Sequence, residues 1–350
     1  MKDPFPIPPI PALARAVQPW ADYLDLPTLP LHIHEVVIIA SFYEFVRSVV
    51  SPVLSSRVFP VQYRALSKTK KLSWDVHVVS FVQSTTISAL ALWVIFVDEE
   101  RRQMDWRERL WGYTGGAGMI QALAAGYFLW DLCITAANVN IFGLGMLAHA
   151  ISALLVYSFG FRPFVNYYSS IFILWELSSP FLNIHWFFDK LSMTGSRAQL
   201  YNGLVLIATF FSCRLVWGTW QSVLVYRDLW AGIHQGPNEL DAASLPARYA
   251  DTMQFAAEST AVPMWLAAIY VGSNLTLNSL NFYWFFKMIE AVRKRFDPAA
   301  AGQREEAEPD KTTAADGSVA VATGTDSKFA TRPRRRTILD GEDPDAPPPI

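Results

Sequence analysis

The sequence predicts an all-α, polytopic membrane bundle of six or seven spanning helices followed by a disordered C-terminal tail. Three observations lead there. Seven stretches, 36–56, 76–97, 115–137, 141–160, 164–188, 203–226 and 262–289, are apolar over about the 20 residues needed to cross a hydrocarbon core roughly 30 Å thick. Of the 350 residues 52% are hydrophobic and 14% aromatic, an excess that aromatic belts at membrane interfaces partly explain. Lysines gather in alternate connections, the pattern by which loops are sorted to the cytosolic face.

Residues 1–34 carry Pro4, Pro6, Pro8, Pro9, Pro11, Pro19, Pro27 and Pro30 and read as an extended lead-in with a short interfacial helix near Ala12–Leu24. The N-terminus lacks the charged-then-apolar order of a cleavable signal, so the first span is expected to start near Glu35 and act as an uncleaved anchor. Residues 35–73 then comprise that helix and a basic loop with Arg57, Arg64, Lys68, Lys70 and Lys71. Placing this loop in the cytosol puts the N-terminus in the lumen and the C-terminus in the cytosol. With seven crossings Lys190, Lys287 and Lys294 fall on the same side. In 98–109 the arginines are offset by acids, which suits a lumenal loop. The count drops to six if 164–188 breaks at Pro180 and re-enters. Residues 74–230 form the central unit, and 231–295 a lumenal loop plus the last spanning helix. From 296 to 350 Ala, Gly, Asp, Glu, Thr and Pro dominate, as in a disordered cytosolic tail. Within it Arg332, Arg334, Arg335 and Arg336 precede Thr337, a solvated run, a contact for anionic lipid or a basophilic kinase site. The sequon Asn274-Leu275-Thr276 lies in the last apolar segment, where glycosylation is not expected.

A net charge of −2 offers no basic face for nucleic acid. The two cysteines, Cys133 and Cys213, suit small apolar fillers rather than a disulfide framework or metal cage. No His-x-x-x-His spacing calls for a metal, no glycine-rich loop calls for a nucleotide, and no cofactor is expected.

Asp131, His149, Glu176 and Arg214 stand inside the apolar segments, where lipid-facing positions reject such groups by several kcal/mol. They are therefore expected to face one another, or a cavity, inside the bundle. Tyr127 and Asp131 are four apart and share a helix face, fit to position a polar head group or, for Asp131, to snorkel to water. His149 could act as a general base or simply bond a neighbouring helix. Glu176, Ser179 and Asn183 form one polar stripe beside Pro180, which removes an amide donor and should kink the helix. This stripe reads either as a ligand contact or as interhelical bonding. Arg214 needs a carboxylate partner, Glu176 or Asp131, as a structural clip or to bind an anionic head group. His185 sits near the cytosolic end. His32 and His34, before the first span, and His234, in a loop, read as unconnected to His149.

Taken in order, these segments resemble the TLC domain of the TRAM, longevity-assurance and ceramide-synthase proteins. The resemblance runs from about Trp74 to Trp230. It rests on Trp74 with Ser80, on Gly126-Tyr127-Phe128 with Asp131, on His149, on the block Glu176-Leu177-Ser178-Ser179-Pro180-Phe181-Leu182-Asn183, and on Phe211 with Arg214. The block is the most specific part and is similar to that of small TLC proteins described as transmembrane protein 56-like. Ala148 stands where ceramide synthases carry the first of paired histidines, and their downstream histidine–aspartate run has no counterpart near 164–188. The resemblance implies the TLC fold, endoplasmic reticulum or another endomembrane, and a lipid-homeostasis role in which an intramembrane cavity binds or senses an acyl lipid. Tyr127, Asp131, Glu176, Ser179, Asn183 and Arg214 would then meet the ligand, a membrane lipid or acyl-CoA. One alternative is a lipid acyltransferase with His149 as general base oriented by Asp131 or Glu176. A second is a lipid transporter. A homo-oligomer is left open.

Overall fold

The computed structural model describes residues 1–234, 247–256 and 261–296. Helix α1, Pro11–Leu24, starts on a proline that has no amide to satisfy and ends at Asp25 in a left-handed conformation, φ 54°. Its exposed Trp20, Tyr23 and Leu24 suit an interfacial position. Helix α2 runs Leu29–Val58 with a π-helical turn at Val46–Val50. It begins about six residues before the expected Glu35. Pro30 is tolerated in the first turn, and Thr28 is fixed through its amide (3.1 Å) and hydroxyl (2.9 Å) to the Phe161 carbonyl. His32 and His34 therefore lie inside this helix and are buried, rather than preceding it.

Helix α3, Lys68–Val97, is capped by Ser67, which accepts from the Lys70 amide. Helix α4, Gly115–Ala137, is capped by Thr114. Helix α5, Val139–Phe159, is broken at Gly143 (φ 80°, ψ 167°), a conformation only glycine adopts without strain. The next pass is interrupted: an α-turn at Ser169–Phe172, a 3-10 stretch at Ile173–Ser178, then α6, Ser179–Lys190. Helix α7, Arg197–His234, contains a π-helical stretch at Phe211–Trp217. Helix α8 is Met264–Phe296.

Contacts sort these elements into two ends. The Met1 carbonyl accepts from the Gly115 amide, Tyr113 N–H reaches Thr252 O, Val165 N–H reaches Leu110 O, and Val262 N–H reaches Gly232 O. The opposite end gathers Ser55, Tyr63, Trp74 and Asp75 with Trp186 and Phe187. Among the described residues segment 169–190 runs from the first end, where Ser169 meets Ala117, to the second, where Trp186 meets Trp74, so the break at Pro180 does not turn it back. Five helical stretches, Leu29–Val58, Lys68–Val97, Trp106–Ala137, Val139–Phe159 and Arg197–His234, are long and apolar enough to cross a membrane. The protein is an all-α multi-pass membrane bundle.

Helix α4 lies at its centre, with 78% of its apolar window buried against neighbours. Small residues allow this: a Cβ on Gly126 would sit 2.7 Å from the Val36 carbonyl of α2. The tail over 297–350, including its arginine cluster, and the loop residues 235–246 and 257–260 lie outside the described residues.

Candidate functional site

The site begins with a broken helix. Pro180 cannot donate to the Glu176 carbonyl, and the Ser179 amide turns back to Glu176 O in 3-10 fashion. The Trp175 carbonyl thereby loses the Ser179 amide as its i+4 partner. Arg214 takes it: Nε donates to Trp175 O at 2.8 Å and to Ser178 Oγ at 3.0 Å. Its Nη1 donates to Asn281 Oδ1 and its Nη2 to Ser179 Oγ, both at 3.0 Å. The Glu176 carboxylate lies 3.6 Å from Nη2, and the Phe210 ring covers the guanidinium. Arg214 is 1% exposed, and it projects from the π-helical stretch of α7. Such stretches shift a side chain's direction and recur at functional positions. Gly218, on the next turn, allows Trp175 to lie against α7; a Cβ there would stand 2.1 Å from the indole nitrogen. Of the two candidate partners for Arg214, Glu176 is the one engaged.

The stripe continues along α6. Asn183 Nδ2 donates to Ser80 Oγ (3.0 Å) and to Ser179 O (2.9 Å), while its Oδ1 meets His77 Nδ1 at 2.7 Å. His77 stacks on Trp186 with ring centroids 4.0 Å apart. Ser80 in turn bonds the Tyr127 hydroxyl. Tyr127 packs edge-on against Tyr43 of α2 at 5.3 Å and stacks on Trp130. Asp131, one turn beyond Tyr127, accepts from Thr135 at 3.4 Å and lies within electrostatic range of Glu176. Tyr127, Asp131, His149, Glu176, Ser179, Asn183 and Arg214 are all buried.

His149 is set apart. Among the described residues its ring makes no hydrogen bond; it contacts the rings of Phe128 (6.0 Å) and Trp284 (5.6 Å). Neither Asp131 nor Glu176 orients it.

Several polar atoms of this region have no partner among the described residues: Glu176 Oε2, both amide atoms of Gln83, Ser88 Oγ, the Trp175 indole nitrogen and Asn281 Nδ2. Buried polar atoms ordinarily find partners, so this group of orphans sets the region apart. A cavity of about 430 Å³ adjoins Tyr43. It is lined by Ile39 and Phe42 of α2, by Val82, Thr86 and Leu90 of α3, and by Leu123 of α4. The Tyr43 hydroxyl makes no hydrogen bond among the described residues. Asp131, His149, Glu176 and Arg214 line neither this cavity nor a second one of about 240 Å³ at the N-terminal end.

Sequence reasoning missed His77, Tyr43, Asn281 and Gln83. A signal existed for two of them: His77 and Gln83 are each three residues from Ser80, on the face of α3 that carries it. Asn274, Asn278 and Asn281 likewise repeat at four- and three-residue steps along α8. Asn278 donates to Asn274 and to Ser222, and Asn274 accepts from Tyr226, so the sequon asparagine is an interhelical contact. For metal, Asp3, His32 and Glu35 bring one ligand atom each within 4.8 Å of one another. His32 Nδ1 is 2.5 Å from Glu35 Oε1 and its Nε2 is 2.7 Å from the Tyr113 hydroxyl, so hydrogen bonds already hold the imidazole.

The TLC domain matches residues 73–290, reaching past residue 230 to take in most of α8. An uncharacterised TLC domain-containing protein of Schizosaccharomyces pombe is 39% identical over 81% of this chain and 87% of its own length. Topoisomerase I damage affected protein 4 of Saccharomyces cerevisiae is 27% identical over 77% of this chain and 87% of its own. Human TLC domain-containing protein 4 is 30% identical over 46% of this chain and 60% of its own.

Proposed function

Because the chain belongs to the TLC domain family, we propose that it serves lipid homeostasis by holding an acyl lipid inside its bundle. The acyl chain occupies the apolar cavity between α2, α3 and α4. The polar end meets Tyr43 and, beyond it, the network of Tyr127, Ser80, Asn183, Glu176 and Arg214. One observation carries this reading: an apolar cavity whose wall includes a phenol with an unused hydroxyl, in ring contact with an incompletely satisfied polar cluster. Its volume lies within the range of small-molecule sites, and apolar walls with few polar groups match an amphiphile. Glu176 Oε2 can accept one more donor, such as a head-group hydroxyl or amine.

The acyltransferase alternative needs an oriented base, and among the described residues the His149 ring makes no hydrogen bond, meeting the rings of Phe128 and Trp284. We assign the protein to an endomembrane such as the endoplasmic reticulum, with the end bearing Arg57, Arg64, Lys68, Lys70, Lys71 and Lys190 in the cytosol, on the strength of the positive-inside rule.

The test is lipid extraction and mass spectrometry of the purified protein. Thr86→Trp, which fills the cavity from an exposed wall position, is expected to remove most co-purifying acyl lipid, whereas Thr86→Val retains it. Equal lipid in Thr86→Trp and wild type overturns the proposal. His149→Ala should leave the membrane lipid profile unchanged; a missing product in that variant would favour the acyltransferase.

A further inference from the structure

The cavity of about 240 Å³ at the end bearing the N-terminus has a different character. Three guanidinium groups, Arg101, Arg109 and Arg227, line it. Arg109 is already neutralised: Nε and Nη2 donate to the two oxygens of Asp228 at 2.6 and 2.9 Å, and the Tyr168 hydroxyl donates to the same carboxylate at 2.7 Å. Arg101 is not. It is 2% exposed, yet Nε and Nη2 bond only the Tyr167 carbonyl, at 3.2 and 2.8 Å, and the guanidinium lies 4.1 Å from the Tyr167 ring centroid. Among the described residues no carboxylate comes within ion-pair distance of it. Asp98 lies within electrostatic range, but its oxygens are held by the Met1 ammonium (2.9 Å) and the Thr114 hydroxyl (2.6 Å). Arg227, exposed at the mouth, forms no ion pair among the described residues, and the Gln221 side chain, also on the lining, forms no hydrogen bond there.

A cation this deeply buried without an anion is costly, and burial pushes its pKa down. The remaining wall is apolar: Ile95, Ile171, Trp217 and Leu224. Trp217 is 39% exposed, so this wall continues onto the outer surface of α7.

We propose that this cavity binds the phosphate of an anionic phospholipid: Arg101 and Arg227 grip the phosphate, Gln221 donates to it, and the acyl chains descend along Trp217 and Leu224. Guanidinium forks match phosphate oxygens bidentately, and charge-assisted bonds of this kind are the strong ones. This site shares no lining residue with the acyl cavity of the preceding subsection, so either can fail without the other.

The experiment uses the full chain in neutral detergent. Thermal unfolding and native mass spectrometry are read with phosphatidylglycerol, with phosphatidylcholine, and with inorganic phosphate alone. Phosphatidylglycerol is expected to raise the midpoint by several degrees and to remain bound at one copy per chain, with phosphatidylcholine far weaker. Arg227→Gln, at an exposed position that folding does not depend on, should weaken phosphatidylglycerol about tenfold; Arg101→Met should abolish its binding if that variant folds. Stabilisation by inorganic phosphate equal to that of the lipid supports the phosphate site with a soluble ester as its source. Equal binding of the two lipids, or an unchanged affinity in Arg227→Gln, overturns the proposal.

Discussion

Replacing Arg214 by Met is the sharpest test of how the polar cluster is held together. The guanidinium donates four hydrogen bonds, to Trp175 O, Ser178, Ser179 and Asn281, and faces the Glu176 carboxylate at 3.6 Å. Hydrogen bonds inside membrane bundles average about 0.6 kcal/mol, so these four alone amount to roughly 2.4 kcal/mol. The variant strands Glu176, and removing one member of a buried pair costs about 3–5 kcal/mol, a figure that already contains the lost hydrogen bonds. Arg214→Met should therefore lose about 3–5 kcal/mol. Glu176→Gln should lose less, about 1–3 kcal/mol, because Arg214 loses its anion but keeps its four other acceptors. The double variant should lie near 2–3 kcal/mol, above Arg214→Met in stability, since no charge is then orphaned. The assay is reversible unfolding in mixed micelles followed by tryptophan fluorescence, run as a double-mutant cycle. A double variant that loses at least the sum of the single losses would refute the argument, and so would an Arg214→Met loss below about 1 kcal/mol.

Three further outcomes are expected. Gly218→Ala should destabilise by about 1–3 kcal/mol, because its Cβ would stand 2.1 Å from the Trp175 indole, whereas Gly272→Ala, with nothing within 4 Å, should not; thermal melts of the pair decide. His77→Ala leaves Asn183 Oδ1 without its 2.7 Å partner and removes the stack on Trp186, for a loss of about 1–3 kcal/mol in the same unfolding assay. A membrane-permeant maleimide should modify one thiol per folded chain, exposed Cys133, and reach buried Cys213 only after denaturation; mass spectrometry of the intact protein counts the adducts.

What was legible in the sequence, and what was not, divides along local and tertiary lines. Glu176, Ser179 and Asn183 were readable as one stripe because helical spacing is a local property. That Arg214 needs a carboxylate was readable from the cost of burying charge. Its bond to the Trp175 carbonyl was not, since it depends on the 3-10 turn that Pro180 imposes and on the π-helical stretch that aims the guanidinium. His77 escaped notice because it stands at the start of α3, only six residues beyond Lys71, where a histidine passes for an interfacial residue; its partner lies 106 residues away. The apolar cavity was invisible for the same reason: its walls are ordinary Ile, Val, Leu and Phe side chains, and only packing leaves space between them. Helix α2 began early because Thr28 is anchored to Phe161, a contact across 133 residues.

The interrupted 169–190 segment and asparagine-bearing α8 are not among the five stretches that are long and apolar enough to cross a membrane. Their polar groups are satisfied by neighbours: Asn183 by α3, and Asn281 through Arg214 of α7. Their insertion is therefore expected to depend on those neighbours. Chains shortened ahead of α7 should keep the α3 contacts of 169–190 but lose the bonds that Arg214 makes to Trp175, Ser178 and Ser179, leaving that segment more open to proteolysis.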